Sequence, residues 1–88
     1  MILNDNDKSF INGEIAVKVE NEEQSRYLIG LSIINDIDTC FTEIGDYDDY
    51  PYYAVLDGEL IAYCEPSIRF ELCDDFDFRL GKRGKENA

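Results

Sequence analysis

The stretch EIAVKVENEEQSRYLIGLSIIND, residues 14–36, decides the fold, because two periodicities meet inside it. In EIAVKVE, residues 14–20, Ile15, Val17 and Val19 share one face of an extended chain, while Ala16 and Lys18 share the other. Alternation with a period of two predicts a half-buried strand. The period then changes. Tyr27, Leu28, Leu31 and Ile34 recur at helical spacing and predict a helix with that face toward a core. Asn21 stands where a cap is needed, with Gln24 three residues on, as in a capping box. Glu22 and Glu23 fall in the first turn, where unpaired N–H groups favour anions. Asn35 is the matching C-cap. Gly30 costs such a helix about 1 kcal/mol against Ala, which points to close packing there.

Outward from this core, MILNDNDKS reads as polar and loose. Asn12-Gly13 is a two-residue turn signal that would fold Phe10–Ile11 back on the strand. On the other side, DTCFTEI, residues 38–44, is β-branched and aromatic and predicts a strand, followed by an acidic loop, GDYDDYP. YYAVL and ELIAYC, 52–56 and 59–64, form a predicted hairpin around Asp57-Gly58, apolar on both faces as central strands are. From Ser67 to Phe78 the pattern alternates again. Ile68, Phe70, Leu72, Phe76 and Phe78 oppose Arg69, Glu71, Cys73, Asp75 and Asp77, and Asp74 marks a bulge or strand end. The expected architecture is a single α+β domain over residues 1–78, one helix on an antiparallel sheet of four or five strands. A basic tail, 79–88, follows.

At 44 % hydrophobic residues the chain can build one modest core and is not disordered in composition. Its charge is lopsided, with 20 acidic and 8 basic residues, net −12, and no His. Residues 1–78 hold 19 acidic side chains against 4 basic, whereas the last ten hold 1 against 4. Such a body repels nucleic acid and anionic membrane and attracts basic surfaces. Solubility alone explains the acidity about as well. The N-terminus lacks a basic signal-peptide region, and no apolar run approaches a membrane span, so a cytoplasmic protein is expected. Cys40, Cys64 and Cys73 are odd in number and form no CxxC. They read as small buried hydrophobes in a reducing compartment.

Catalytic equipment is missing. There is no His to act as a base near neutral pH, and no GxSxG, P-loop, GxGxxG or HExxH. An acidic field also raises thiol pKa values rather than activating a cysteine. The chain reads as a non-enzyme without a cofactor. Calcium is disfavoured too. Asp46 and Asp48 fit the first two places of an EF-hand loop, but Tyr50 takes the third and Pro51 stands where Gly is required. Protein recognition suits DYDDYPYY, residues 46–53, better. Tyr47 and Tyr50 offer rigid contact area, and Asp46, Asp48 and Asp49 offer acceptors for Arg. One of Tyr52 and Tyr53 must face the core by alternation. In CDDFDFR, residues 73–79, Asp74, Asp75 and Asp77 form a second anionic cluster. On an extended strand Asp75 and Asp77 would lie about 6.6 Å apart on one side, near two axial phosphate steps of a DNA strand. A charged edge that discourages aggregation is an equally good reading of that segment. Glu20, Glu22 and Glu23 read as compensation of the helix dipole.

The run EIAVKVENEEQSRYL and the hairpin PYYAVLDGELIAY, within roughly residues 10–65, resemble small single-domain proteins of bacteriophages and prophages. In size, charge and lack of catalytic residues the chain is similar to phage inhibitors of host defence, including DNA-mimicking anti-CRISPR and anti-restriction proteins. That resemblance implies an inhibitor in the bacterial cytoplasm that occupies the nucleic-acid-binding surface of a nuclease such as a Cas effector. The partner expected is a basic host protein, with no direct binding of nucleic acid or membrane. The candidate residues come from the charge and aromatic pattern: Asp46, Tyr47, Asp48, Asp49, Tyr50, Asp74, Asp75 and Asp77. The alternative is a structural or housekeeping phage module, acidic for solubility and forming a homodimer through an exposed strand.

Overall fold

In the computed structural model, which describes residues 3–78, two helices cover one face of a four-stranded sheet. The α+β class is as expected; the second helix and the mixed sheet are not. The basic segment 79–88 lies outside the described residues.

The N-terminal segment read as loose is a helix, α1 (Asp5–Ile11). Its sequence NDND closes a reciprocal capping box. The Asp7 N–H donates to Asn4 Oδ1 at 2.7 Å, and the Asn4 N–H donates to Asp7 Oδ2 at 3.1 Å. Phe10, buried beneath it, supplies the apolar anchor. Asn12-Gly13 is therefore a helix exit rather than a hairpin turn. Asn12 caps α1, and Gly13, with φ of 78°, swings the chain into strand β1 (Ile15–Lys18).

Helix α2 (Glu22–Ile34) follows with the caps that its sequence specifies: Asn21 Oδ1 accepts the Gln24 N–H at 2.9 Å, and Asn35 closes it. Leu28 and Leu31 are buried and Tyr27 half-buried, but Ile34 is 59 % exposed. The chain reverses at Asp36 (φ 60°), the Ile37 N–H bonds to the Ser32 carbonyl, and Ile37 is the residue buried at that end. Gly30 marks no close approach, since an added Cβ would meet nothing within 4 Å.

The strand expected over 38–44 reduces to one bridge, Asp38 to Glu59. Local side-chain bonds divert this segment from a ladder. Asp38 Oδ1 takes the Cys40 N–H, and Asp46 Oδ2 takes the Glu43 N–H, folding Ile44–Asp48 into a short 3₁₀ helix. The hairpin of β2 (Tyr52–Leu56) and β3 (Glu59–Tyr63) forms as predicted, with Asp57 and Gly58 both at positive φ.

Beyond it the alternating stretch 67–78 keeps only a three-residue strand, β4 (Glu71–Cys73), which ends where Asp74 interrupts the pattern. The strand order is β3-β2-β1-β4, and β4 pairs with β1 in parallel, so the sheet is mixed rather than antiparallel. β3 is an edge rather than a central strand. The chain must then cross from one edge of the sheet to the other within residues 64–70. It does so over the face opposite the helices, where Phe70 seals against Ala16 and Ala54. Two alanines leave room for a strap, and one aromatic ring fills it. Phe76 instead joins the helix-side core, 6.1 Å from the Phe10 ring centroid. The five apolar residues of the alternating stretch therefore share no common face. Cys40 and Cys64 are exposed and Cys73 half-buried, so none is the buried hydrophobe expected. Among the described residues no helix is long and apolar enough to cross a membrane.

Candidate functional site

Strand polarity decides where the acidic segments go. β1 runs toward Lys18, which faces Tyr52 at the start of β2. β4, parallel to β1, ends with Cys73 beside Val17. Three acidic segments thus leave the sheet at one end: Glu20, Glu22 and Glu23 after β1, Asp46–Tyr50 before β2, and Asp74–Asp75 after β4. The Val19 N–H donates to the Pro51 carbonyl at 2.7 Å, tying the first segment to the second. A shallow groove of about 270 Å³, with Lys18, Glu20, Gln24 and Asp74 in its walls, joins the first to the third. Of the nearby cations, Arg26 pairs with Glu22 at 3.0 Å in an exposed i,i+4 bridge, which contributes little to stability.

The eight residues singled out in the sequence fall into two groups. Asp48, Asp49, Tyr50, Asp74 and Asp75 are exposed, Asp75 with one carboxylate oxygen bonded to the Cys73 thiol. Asp46, Tyr47 and Asp77 are half-buried. Asp46 is engaged in the 3₁₀ helix: its carboxylate holds the Glu43 N–H, and its carbonyl accepts from Asp49 and Tyr50. Tyr47 packs against the main core, so it is less available as an anchor than its acidic neighbours suggest. The geometry expected for Asp75 and Asp77 on one strand does not hold, because the strand ends at Cys73.

Tyr53, not Tyr52, is the core tyrosine. Its ring is fully buried, and its hydroxyl lies 2.7 Å from Ser25 Oγ and donates to the Glu43 carbonyl at 3.3 Å. Burial pushes this phenol above its ordinary pKa. The Cys73 thiol is also pushed up, first by burial and then by Asp75, whose carboxylate accepts its S–H at 3.3 Å.

Glu20, Glu22 and Glu23 were the part of this end that dipole compensation alone did not capture. No local signal places Glu20 beside Asp74, because that neighbourhood depends on the parallel pairing of β1 with β4. The opposite end of the sheet also carries carboxylates: Glu14, Asp36, Asp38, Asp57, Glu59 and Glu71. There Asp38 hydrogen-bonds Cys40, which holds the carboxyl low and the thiol high, away from nucleophilic reactivity. Among the described residues no group of three or more Cys, Asp or Glu converges to hold a metal. What the acidic end offers chemically is Coulombic attraction and carboxylate acceptors for Arg and Lys. No family model matches the chain, and no curated protein or solved structure matches it significantly.

Proposed function

We propose that this is a non-enzymatic inhibitor whose acidic end occupies the nucleic-acid-binding groove of a basic host protein, of the kind that a Cas nuclease represents. The supporting observation is the gathering of three acidic segments, far apart in sequence, at one end of the sheet. Attraction between that end and an Arg/Lys-lined groove speeds encounter, and charge-assisted hydrogen bonds to Asp48, Asp49, Asp74 and Asp75 hold the complex. Tyr50, 48 % exposed, adds aromatic contact beside them.

The test is displacement of a labelled duplex from a purified Cas nuclease, at several salt concentrations. Displacement should weaken steeply as salt rises. Reversing Asp48, Asp49, Asp74 and Asp75 to Lys should abolish it while the melting temperature is kept. Equal displacement by the reversed variant would remove the acidic end from the mechanism. The carboxylates at the other end of the sheet favour a second reading, a structural phage module that is acidic for solubility. On that reading no displacement occurs at any salt concentration.

A further inference from the structure

The two edges of the sheet are not alike. On β3 the outward backbone groups of Leu60 are taken, its N–H donating to the Asp38 carbonyl at 2.8 Å and its carbonyl accepting from Thr42 Oγ1 at 2.7 Å, while those of Ala62, the next outward residue, have no such cover among the described residues. The β4 edge has no such cover among the described residues. The Glu71 N–H donates inward to the Glu14 carbonyl, so strand alternation turns the N–H and C=O of Leu72 away from β1. The Leu72 side chain is 39 % exposed. Shallow grooves of about 570 and 270 Å³ run along the strand; Leu72, Cys73 and Asp74 line both. Glu71, Asp74 and Asp75 flank the open edge, all exposed.

We propose that β4 accepts an extended, Lys- or Arg-bearing segment of a partner, which adds to the sheet as a fifth strand. The backbone of Leu72 supplies the register, and the flanking carboxylates choose a basic strand. A second copy of this chain is disfavoured, since pairing β4 with itself would gather the Glu71, Asp74 and Asp75 carboxylates of both copies along one seam. The inference rests on reading the protein as a binder of basic partners and specifies how one is held.

The probe is an end-capped octapeptide of alternating lysine and threonine, titrated into the full chain and followed by the Leu72 amide signal and its hydrogen exchange. The free protein should exchange this amide quickly. The peptide should bind one to one and protect it, with affinity that falls as salt rises. Leu72→Pro removes the outward donor without touching the β1–β4 bonds, a change that edge strands tolerate. It should weaken binding about two- to tenfold, the scale of one lost backbone hydrogen bond. Should that variant fold poorly, a peptide N-methylated on every residue, which has no N–H left for the Leu72 carbonyl, gives the same comparison on the unaltered protein.

Equal binding by Leu72→Pro or by the methylated peptide overturns the proposal. So does a Leu72 amide already protected without peptide, by a second copy or by residues 79–88. Duplex displacement separates this from the function. A Leu72→Pro protein that still displaces duplex leaves the inhibitor reading intact and removes the strand. A peptide-binding protein that never displaces duplex does the reverse.

Discussion

The hydroxyl of Tyr53 lies 2.7 Å from Ser25 Oγ, a buried contact that joins β2 to α2. The same hydroxyl reaches the Glu43 carbonyl, so one phenol ties the sheet, the helix and the entry to the 3₁₀ helix together. Tyr53→Phe should destabilise the fold by about 1–2 kcal/mol, because it strands a buried Ser hydroxyl. Ser25→Ala should cost a similar amount. The double variant should cost less than the sum, since the second change removes a group that the first left unpaired. Urea unfolding midpoints of the four proteins would measure the coupling.

Tyr53 also sets an alkaline limit. Burial raises its folded pKa above the ordinary value of 10.0, so ionisation is harder in the native state than in the unfolded one. The resulting stabilisation is fully present below that ordinary value and is lost as pH rises through the folded pKa. Melting temperature should therefore fall above pH ~10. In Tyr53→Phe that fall should be shallower. An equally steep fall in the variant would assign the effect to other groups.

Two glycines should respond oppositely to alanine. At Gly13, φ is 78° and an added Cβ would stand 2.8 Å from the Val55 carbonyl oxygen. Gly13→Ala should cost about 1–3 kcal/mol. At Gly30, inside α2, the added methyl meets nothing within 4 Å. Gly30→Ala should stabilise by up to about 1 kcal/mol through helix propensity alone. Thermal melts of both variants test the pair.

Cys40 is exposed yet should react sluggishly with iodoacetamide near neutral pH, because its thiol is bonded to Asp38 and held protonated. Asp38→Asn should increase the rate at Cys40 by lowering the thiol pKa. Peptide mapping of labelled protein gives the site-specific rate. An unchanged rate would mean that the Asp38 charge is not what restrains the thiol.

The neighbouring aspartates of the 3₁₀ segment should separate into structural and surface roles. Asp46→Ala removes the acceptor of the Glu43 N–H and should cost about 1 kcal/mol. Asp48→Ala and Asp49→Ala should stay within about 0.5 kcal/mol of wild type, as exposed substitutions do. Calorimetric melts would distinguish them. Asp48 and Asp49 are thus the sound positions for charge reversal, and Asp46 is not.

What residues 14–36 and 52–63 encode is local, and it was legible for that reason. A period of two, a period near 3.6, an Asn cap three residues before Gln24, and Asp-Gly between two apolar runs each act within a few residues. Two failures were also local: NDND was a capping box read as a loose end, and the side chains of Asp38 and Asp46 outbid the β-branched pattern of 38–44. The acidity of the body, too, is a property of composition. Its arrangement is not. Whether Glu20 and Asp74 share a surface depends on β4 crossing the sheet to pair in parallel with β1. That crossing depends on Ala16 and Ala54 being small enough to admit Phe70. Contacts between residues fifty positions apart leave no periodic trace along the chain, so only packing in three dimensions could decide which carboxylates stand together and which strand edge is left open.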